Sequence, residues 1–148
     1  MNNIYLACYH GRADKWLHRL LDNTTKFFTR GKYSHCELAI HLGNGKYECY
    51  SSSYRDGGVR VKVMTLDLKK WDLIAVDNIS ESELRRYFTA TKGSGYDLLG
   101  ALGMVLGLRE HHDKYFCSEW CFNAITGGQD GWRFSPVELA CVAISLKL

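Results

Sequence analysis

The spacing of hydrophobic and polar positions changes part-way along the chain. Ile4–Tyr9 is a short apolar run suited to a strand, and within 15–28 the residues Trp16, Leu20, Leu21, Thr24 and Phe28 recur at helical spacing. Over 33–42 the period is two. Cys36, Leu38, Ile40 and Leu42 point one way and His35, Glu37, Ala39 and His41 the other, which predicts a strand with one polar face. Asn44-Gly45 is a strong hairpin signal and leads into a partner strand over 47–53. After the Asp56-Gly57-Gly58 turn, Val59, Val61 and Val63 alternate with Arg60 and Lys62, and 71–76 supplies a further strand.

The second half is helical in pattern. Ser80 and Glu83 form a capping box ahead of Leu84, Tyr87 and Phe88, opening a helix that runs towards Lys92. A Gly-Ser-Gly turn at 93–95 precedes Tyr96-Asp97 and the apolar, glycine-bearing segment 98–108, read as a buried helix. Over 117–125 the residues Cys117, Cys121, Ala124 and Ile125 share one helical face, closed by Gly127-Gly128. Ser135-Pro136-Val137-Glu138 marks the start of a last helix over 139–144. Strands followed by helices predict an α+β domain, with an antiparallel sheet or small barrel packed against helices, in preference to a parallel βαβ sheet.

Length and composition narrow the class. The 148 residues suit one domain spanning 1–148, and 46% hydrophobic residues with one proline exclude collagen-like, coiled-coil and disordered chains. Nineteen Lys and Arg against 16 Asp and Glu give +3, too little charge for a dedicated nucleic-acid binder. The apolar segment 98–108 is about half the length that crosses a bilayer, so no transmembrane segment is expected. The first residues lack a basic stretch followed by an apolar one, which predicts a chain without a signal peptide, kept in a reducing cytoplasm. There the six cysteines are expected mostly as free, buried hydrophobes. No CxxC pair occurs.

Two positions carry candidate chemistry. Cys117 stands where a helix begins, and the positive end of the helix dipole favours its thiolate; a buried, inert cysteine is the plainer reading. His35 shares a strand face with Glu37, as a general base with an orienting carboxylate would; an ordinary solvent-facing strand edge has the same pattern. A two-residue Asn44-Gly45 loop would set His41 opposite Glu48, Glu37 opposite Ser52 and His35 opposite Tyr54. Ser52 then lies diagonal to His35, and a bulge of one residue would substitute Ser51 or Ser53.

Taken in order, SHCELAI with His35, GNGKYECYSSS, GSGYDLLG with Tyr96, YFCSEW with Cys117, and SPVEL resemble the circularly permuted papain-like cysteine hydrolases. Within these the chain looks like the YiiX-like branch of the NlpC superfamily, akin to the lecithin:retinol acyltransferase group, and phage-encoded members are similar. The resemblance spans 34–139. It implies Cys117 as nucleophile, His35 as base and a polar residue of the next strand orienting the imidazole. Members usually carry a carboxylate or imidazole at that third position, whereas 50–53 here reads Tyr-Ser-Ser-Ser, which leaves Glu37 or Ser52 for the role. Tyr96 corresponds to a tyrosine near the nucleophile that helps the Cys117 backbone N–H hold an oxyanion.

The implied activity is cysteine-dependent hydrolysis or acyl transfer on an amide, ester or thioester of a small-molecule, lipid or peptide substrate, without metal or cofactor. For a phage-encoded chain the location would be the host cytoplasm. Two other readings compete. A metal site would recruit His35, Glu37, His41 and the His111-His112 pair, but no HExxH helix occurs. A catalytically silent module of the same fold would bind a host or partner protein.

Overall fold

The computed structural model describes residues 3–11, 31–98, 101 and 114–146. The helix expected over 15–28, the His111-His112 pair and all of the 98–108 segment except Leu98 and Ala101 lie outside the described residues.

The described chain is an α+β arrangement in which a mixed seven-stranded sheet curls into a half-barrel and three helices accompany it. The strands are β1 (Ile4–Tyr9), β2 (His35–Gly43), β3 (Lys46–Ser53), β4 (Gly58–Thr65), β5 (Trp71–Ala75), β6 (Gly95–Tyr96) and β7 (Lys114–Tyr115). The helices are α1 (Glu81–Thr91), α2 (Cys117–Thr126) and α3 (Pro136–Leu146). The sheet order is β5-β1-β2-β3-β4-β6-β7, antiparallel except for the β6–β7 pair. No described helix is long and apolar enough to cross a membrane.

Local sequence explains the ends of these elements. Asn44 and Gly45, with φ of 52° and 70°, both adopt the left-handed conformation that a tight hairpin between β2 and β3 requires. Ser80 and Glu83 form the expected reciprocal cap of α1. Ser135 and Glu138 do the same for α3, and Gly127 at φ 68° ends α2.

The hairpin register differs from the expected one. His41 pairs with Tyr47 and Gly43 with Lys46, so Leu42 is an extra residue on β2, half exposed and outside the ladder. This bulge shifts β2 by one: Ile40 stands opposite Glu48 and Leu38 opposite Tyr50. The pairs expected from an unbulged loop, including Glu37 with Ser52, are therefore not formed.

Both faces of β2 are covered. Cys36, Leu38 and Ile40 join Ile4, Leu6 and Tyr50 beneath α1, α2 and α3, in a main core that includes Leu84, Trp120 and Leu139. The face expected to be polar is also closed: Glu37 is 1% and Ala39 0% exposed. The curl of the sheet gathers Ala7, Ala39, Cys49 and Leu66 into a second apolar cluster, with Trp71 and Leu73 at its margin. A carboxylate on that face has lost its water and needs charged partners.

The last two strands deliver α2 to the site. Val59 N–H donates to Ser94 O at 2.9 Å, and Asp97 N–H donates to Tyr115 O at 3.1 Å, so β4, β6 and β7 are tied edge to edge just before Cys117. Gly58 permits this approach. Its φ is +146°, and a Cβ there would fall 2.1 Å from Ser94 O. Gly58→Ala is expected to destabilise the fold by about 2 kcal/mol or more, through backbone strain and separation of β4 from β6. Urea denaturation measures the loss.

Candidate active site

Cys117 is the first residue of α2. Phe116 precedes it in extended conformation as an N-cap whose side chain makes no capping bond, so the helix presents its positive end at the sulfur. Helix α2 is fixed from behind. Trp120 is fully buried and its indole N–H donates to Thr91 Oγ1 of α1 at 2.9 Å, while Gly131 N–H donates to Asn123 Oδ1 at 2.9 Å.

His35 opens β2 and hydrogen-bonds the Cys117 side chain. Its Nε2 faces Glu37 Oε1 at 3.1 Å, which leaves Nδ1 as the ring nitrogen free to serve the sulfur. Residues 35 and 37 share a strand face, so the carboxylate holds the ring from the same strand. Trp71 closes the other side, edge-on to the imidazole with ring centroids 6.4 Å apart.

Glu37 is in turn held by Arg60 of β4. The guanidinium grips both carboxylate oxygens, Nη1 to Oε2 and Nη2 to Oε1, each at 2.7 Å. Arg60 reaches across β3 because its ladder partner there is Ser51, a small residue whose hydroxyl turns away to donate to Cys36 O at 2.8 Å. Beyond it, Arg60 Nε donates to Asp56 Oδ2 at 2.9 Å, and Lys62 pairs with the same carboxylate. Cys117, His35, Glu37, Arg60, Asp56 and Lys62 thus form one file that alternates in charge when the thiol is ionised.

The titration of these groups follows from that file. Cys117 is driven well below the ordinary thiol value: the Cys36 thiol donates to it, burial opposes ionisation, and the His35 charge and hydrogen bond together with the Cys36 backbone N–H favour the thiolate. Burial works against a charged His35, but the Cys117 thiolate and then Glu37 outweigh it and push the imidazole up to about 10. Burial alone would raise Glu37; the hydrogen bonds from Arg60 and His35 bring it down to about 2. These directions together favour a thiolate–imidazolium pair backed by an ionised carboxylate.

The other sulfurs differ. Cys36 is pushed well above the thiol range, chiefly by burial and then by its bonds to Cys117 and Cys121, and burial likewise raises Cys8. Burial raises Cys49 to about 12. All six are free thiols; five are buried, as expected for most of them, and Cys141 is exposed on α3.

No protein-family model matches the chain, and no curated protein does.

Of the residues singled out in the sequence, His35, Glu37 and Cys117 meet in one constellation. Tyr96 is close enough for the Cys117 charge to act on it; burial first and that charge second keep its phenol protonated, able to donate. Its ring meets Tyr54 edge-on at 5.7 Å. Ser52 is a correction. The bulge at Leu42 moves it along β3, and its hydroxyl donates to Tyr115 O at 2.6 Å, so it braces β7 and makes no bond to the imidazole. His41 packs on Tyr47, ring centroids 4.8 Å apart, six residues from His35 along β2. No group of three or more His, Cys, Asp or Glu that could hold a metal ion occurs among the described residues.

Sequence reasoning missed Arg60 and Cys36. Arg60 alternates with Val59 and Val61 on β4, a pattern any half-buried strand shows, and only the register carries it to Glu37. Cys36 was visible between His35 and Glu37 but read as core.

Glu37→Gln is expected to slow alkylation of Cys117 markedly, whereas Ser52→Ala should cost about 1 kcal/mol of stability and leave the thiol reactive. Alkylation rates and urea midpoints of the two variants check this. Because Glu37 is depressed when folded, its contribution to stability is complete above the unfolded carboxylate value of about 4.3 and is lost as pH falls toward about 2. Acid unfolding should therefore begin at higher pH in Glu37→Gln than in the wild type.

Proposed function

We propose that the protein is a cysteine hydrolase or acyltransferase with a circularly permuted papain-like fold, cleaving an amide, ester or thioester bond through Cys117 and His35. The observation that carries the reading is the hydrogen bond between the imidazole of β2 and the thiol at the start of α2, with Glu37 on the far ring nitrogen. A nucleophile at a helix N-terminus, a base within reach and a third group orienting the base are the parts that covalent acyl transfer needs.

The steps follow from these positions. The Cys117 thiolate adds to the substrate carbonyl carbon, and the carbonyl π pair moves onto oxygen. The Cys117 backbone N–H and the Tyr96 phenol are the donors suited to that oxyanion. The oxyanion collapses, the bond to the leaving amine, alcohol or thiol breaks, and His35 Nδ1 supplies its proton. The neutral imidazole then takes a proton from water, or from an acceptor nucleophile, as it attacks the thioester; the tetrahedral adduct expels the Cys117 thiolate and leaves imidazolium behind. Glu37 carries no proton in this cycle. It compensates the imidazolium and fixes the ring.

The order of elements supports the permuted assignment: the histidine strand β2 precedes the nucleophile helix α2 in sequence. The aromatic rings of Trp71 beside the imidazole and of Tyr96 near the thiol, with Tyr54 edge-on to Tyr96, suit an acyl group or peptide in preference to a highly charged substrate.

Iodoacetamide labelling followed by peptide mass spectrometry tests the reading. Cys117 is expected to alkylate at pH 6 while Cys8, Cys36 and Cys49 do not, with exposed Cys141 as the reference for an accessible thiol. Cys117→Ser should retain the fold and lose all turnover of activated acyl esters and thioesters. Equal labelling of Cys117 and Cys141 across the pH range would refute the thiolate pair. A reactive Cys117 with no turnover of any acyl substrate would instead favour a binding module. Turnover should also fall on the alkaline side as pH rises toward about 10, where His35 loses the proton that the leaving group needs.

A further inference from the structure

We propose that Arg60 is a positioning residue of this site, a fourth member that holds Glu37 ionised so that the carboxylate orients and compensates the imidazolium without accepting its proton. The inference rests on the thiolate–imidazolium reading above and extends it.

The case begins with burial. The Glu37 side chain is 2% exposed and that of Arg60 15%, against 22% for His35, so Glu37 has little water to stabilise its charge. A carboxylate so placed, with a single imidazolium beside it, has a cheap way to shed its charge: it takes the proton from His35, leaving a neutral acid against a neutral ring. A neutral His35 would no longer compensate the thiolate, and Cys117 would lose its strongest charged partner. The two-pronged grip at 2.7 Å on each oxygen removes that route, because the guanidinium stays charged and satisfies both oxygens while Oε1 still faces His35 Nε2. Arg60 acts through Glu37 and touches neither the thiol nor a substrate.

Among the described residues, further titratable groups adjoin the file, and burial keeps Tyr96 and Cys8 near the thiol protonated. Cys49 is the thiol beside Glu37, and burial with the Glu37 charge keeps it protonated. Asp56 faces Arg60 on its outer side and is itself tied to Lys62, so Arg60 spans two carboxylates and cannot turn from Glu37 without also breaking the outer pair. Cys36 lies beside the thiol, where burial keeps it protonated, so it brings no charge that could replace His35, and the Cys121 thiol donates to Cys36 O.

A bidentate pair of this kind could serve only to fasten β4 to β2. The two roles separate in the pH dependence of Cys117 alkylation, measured on the full chain with iodoacetamide for wild type, Arg60→Met, Arg60→Lys and Glu37→Gln. If Arg60 keeps Glu37 ionised, Arg60→Met moves the acid limb of the profile up by about one pH unit or more and lowers the rate at pH 6 by about tenfold. Arg60→Lys keeps the charge but loses the fork, and should recover part of that shift. Adding Arg60→Met to Glu37→Gln should cost little further reactivity, since the carboxylate through which Arg60 acts is gone. A purely structural pair would lower the urea midpoint of Arg60→Met and leave its pH midpoint where the wild type has it, which would overturn the proposal. Should Arg60→Met fail to fold, Arg60→Lys and Arg60→Gln give the same comparison, with the same unshifted midpoint as the refuting result. Failure of the underlying reading looks different: wild-type Cys117 would itself show an ordinary thiol profile.

Discussion

A carboxylate buried against its nature organises this molecule. Glu37 lies in the middle of a sheet on a face closed by apolar side chains, where an isolated charge would be expelled or neutralised. It persists because two cations hold it, His35 from its own strand and Arg60 from two strands away. Each of those cations has a second anionic partner, the Cys117 thiolate at one end and Asp56 at the other. Removing Glu37 takes from both cations their shared buried partner, which costs more than the pairs are stabilising. The site and the sheet register are therefore the same constraint.

Strand alternation distributes the parts. His35 and Glu37 share one face of β2, so the carboxylate meets the ring with no help from another element, while Cys36 between them faces the helices and offers its thiol and its backbone N–H to Cys117. One tripeptide thus approaches the sulfur from two sides. On the helix side, the first turn of α2 sets its positive end at the sulfur, and the Trp120–Thr91 bond fixes where that turn stands. Ser51 and Ser52 take the quieter roles, one donating to Cys36 O, the other to Tyr115 O. Both hold backbone that carries site residues.

Much of this was legible from local pattern. The period-two run around His35, the Asn44-Gly45 turn, the capping boxes at Ser80 and Ser135 and the helix beginning at Cys117 are all short-range signals, decided by residues within a few positions of one another. The pairing of His35 with Glu37 belongs with them, because two residues on one strand face are neighbours whatever the rest of the chain does. What failed was everything that depended on counting across a turn. Leu42 occupies a bulge that no composition rule marks, and a single extra residue moved Ser52 away from the histidine and put Ser51, with its small side chain, under the reach of Arg60.

The sequence by itself therefore determined the elements, their caps, an α+β order and a histidine–carboxylate pair that precedes a cysteine at a helix start. Tertiary structure alone decided that Cys117 meets His35, that Arg60 meets Glu37, that Cys36 donates to the Cys117 sulfur, and that the polar face of β2 is buried. The division has a physical cause. Backbone propensity and capping are settled by contacts within a turn or two of chain, whereas a charge buried between strands is settled by register and by the curl of the sheet, which no residue fixes alone.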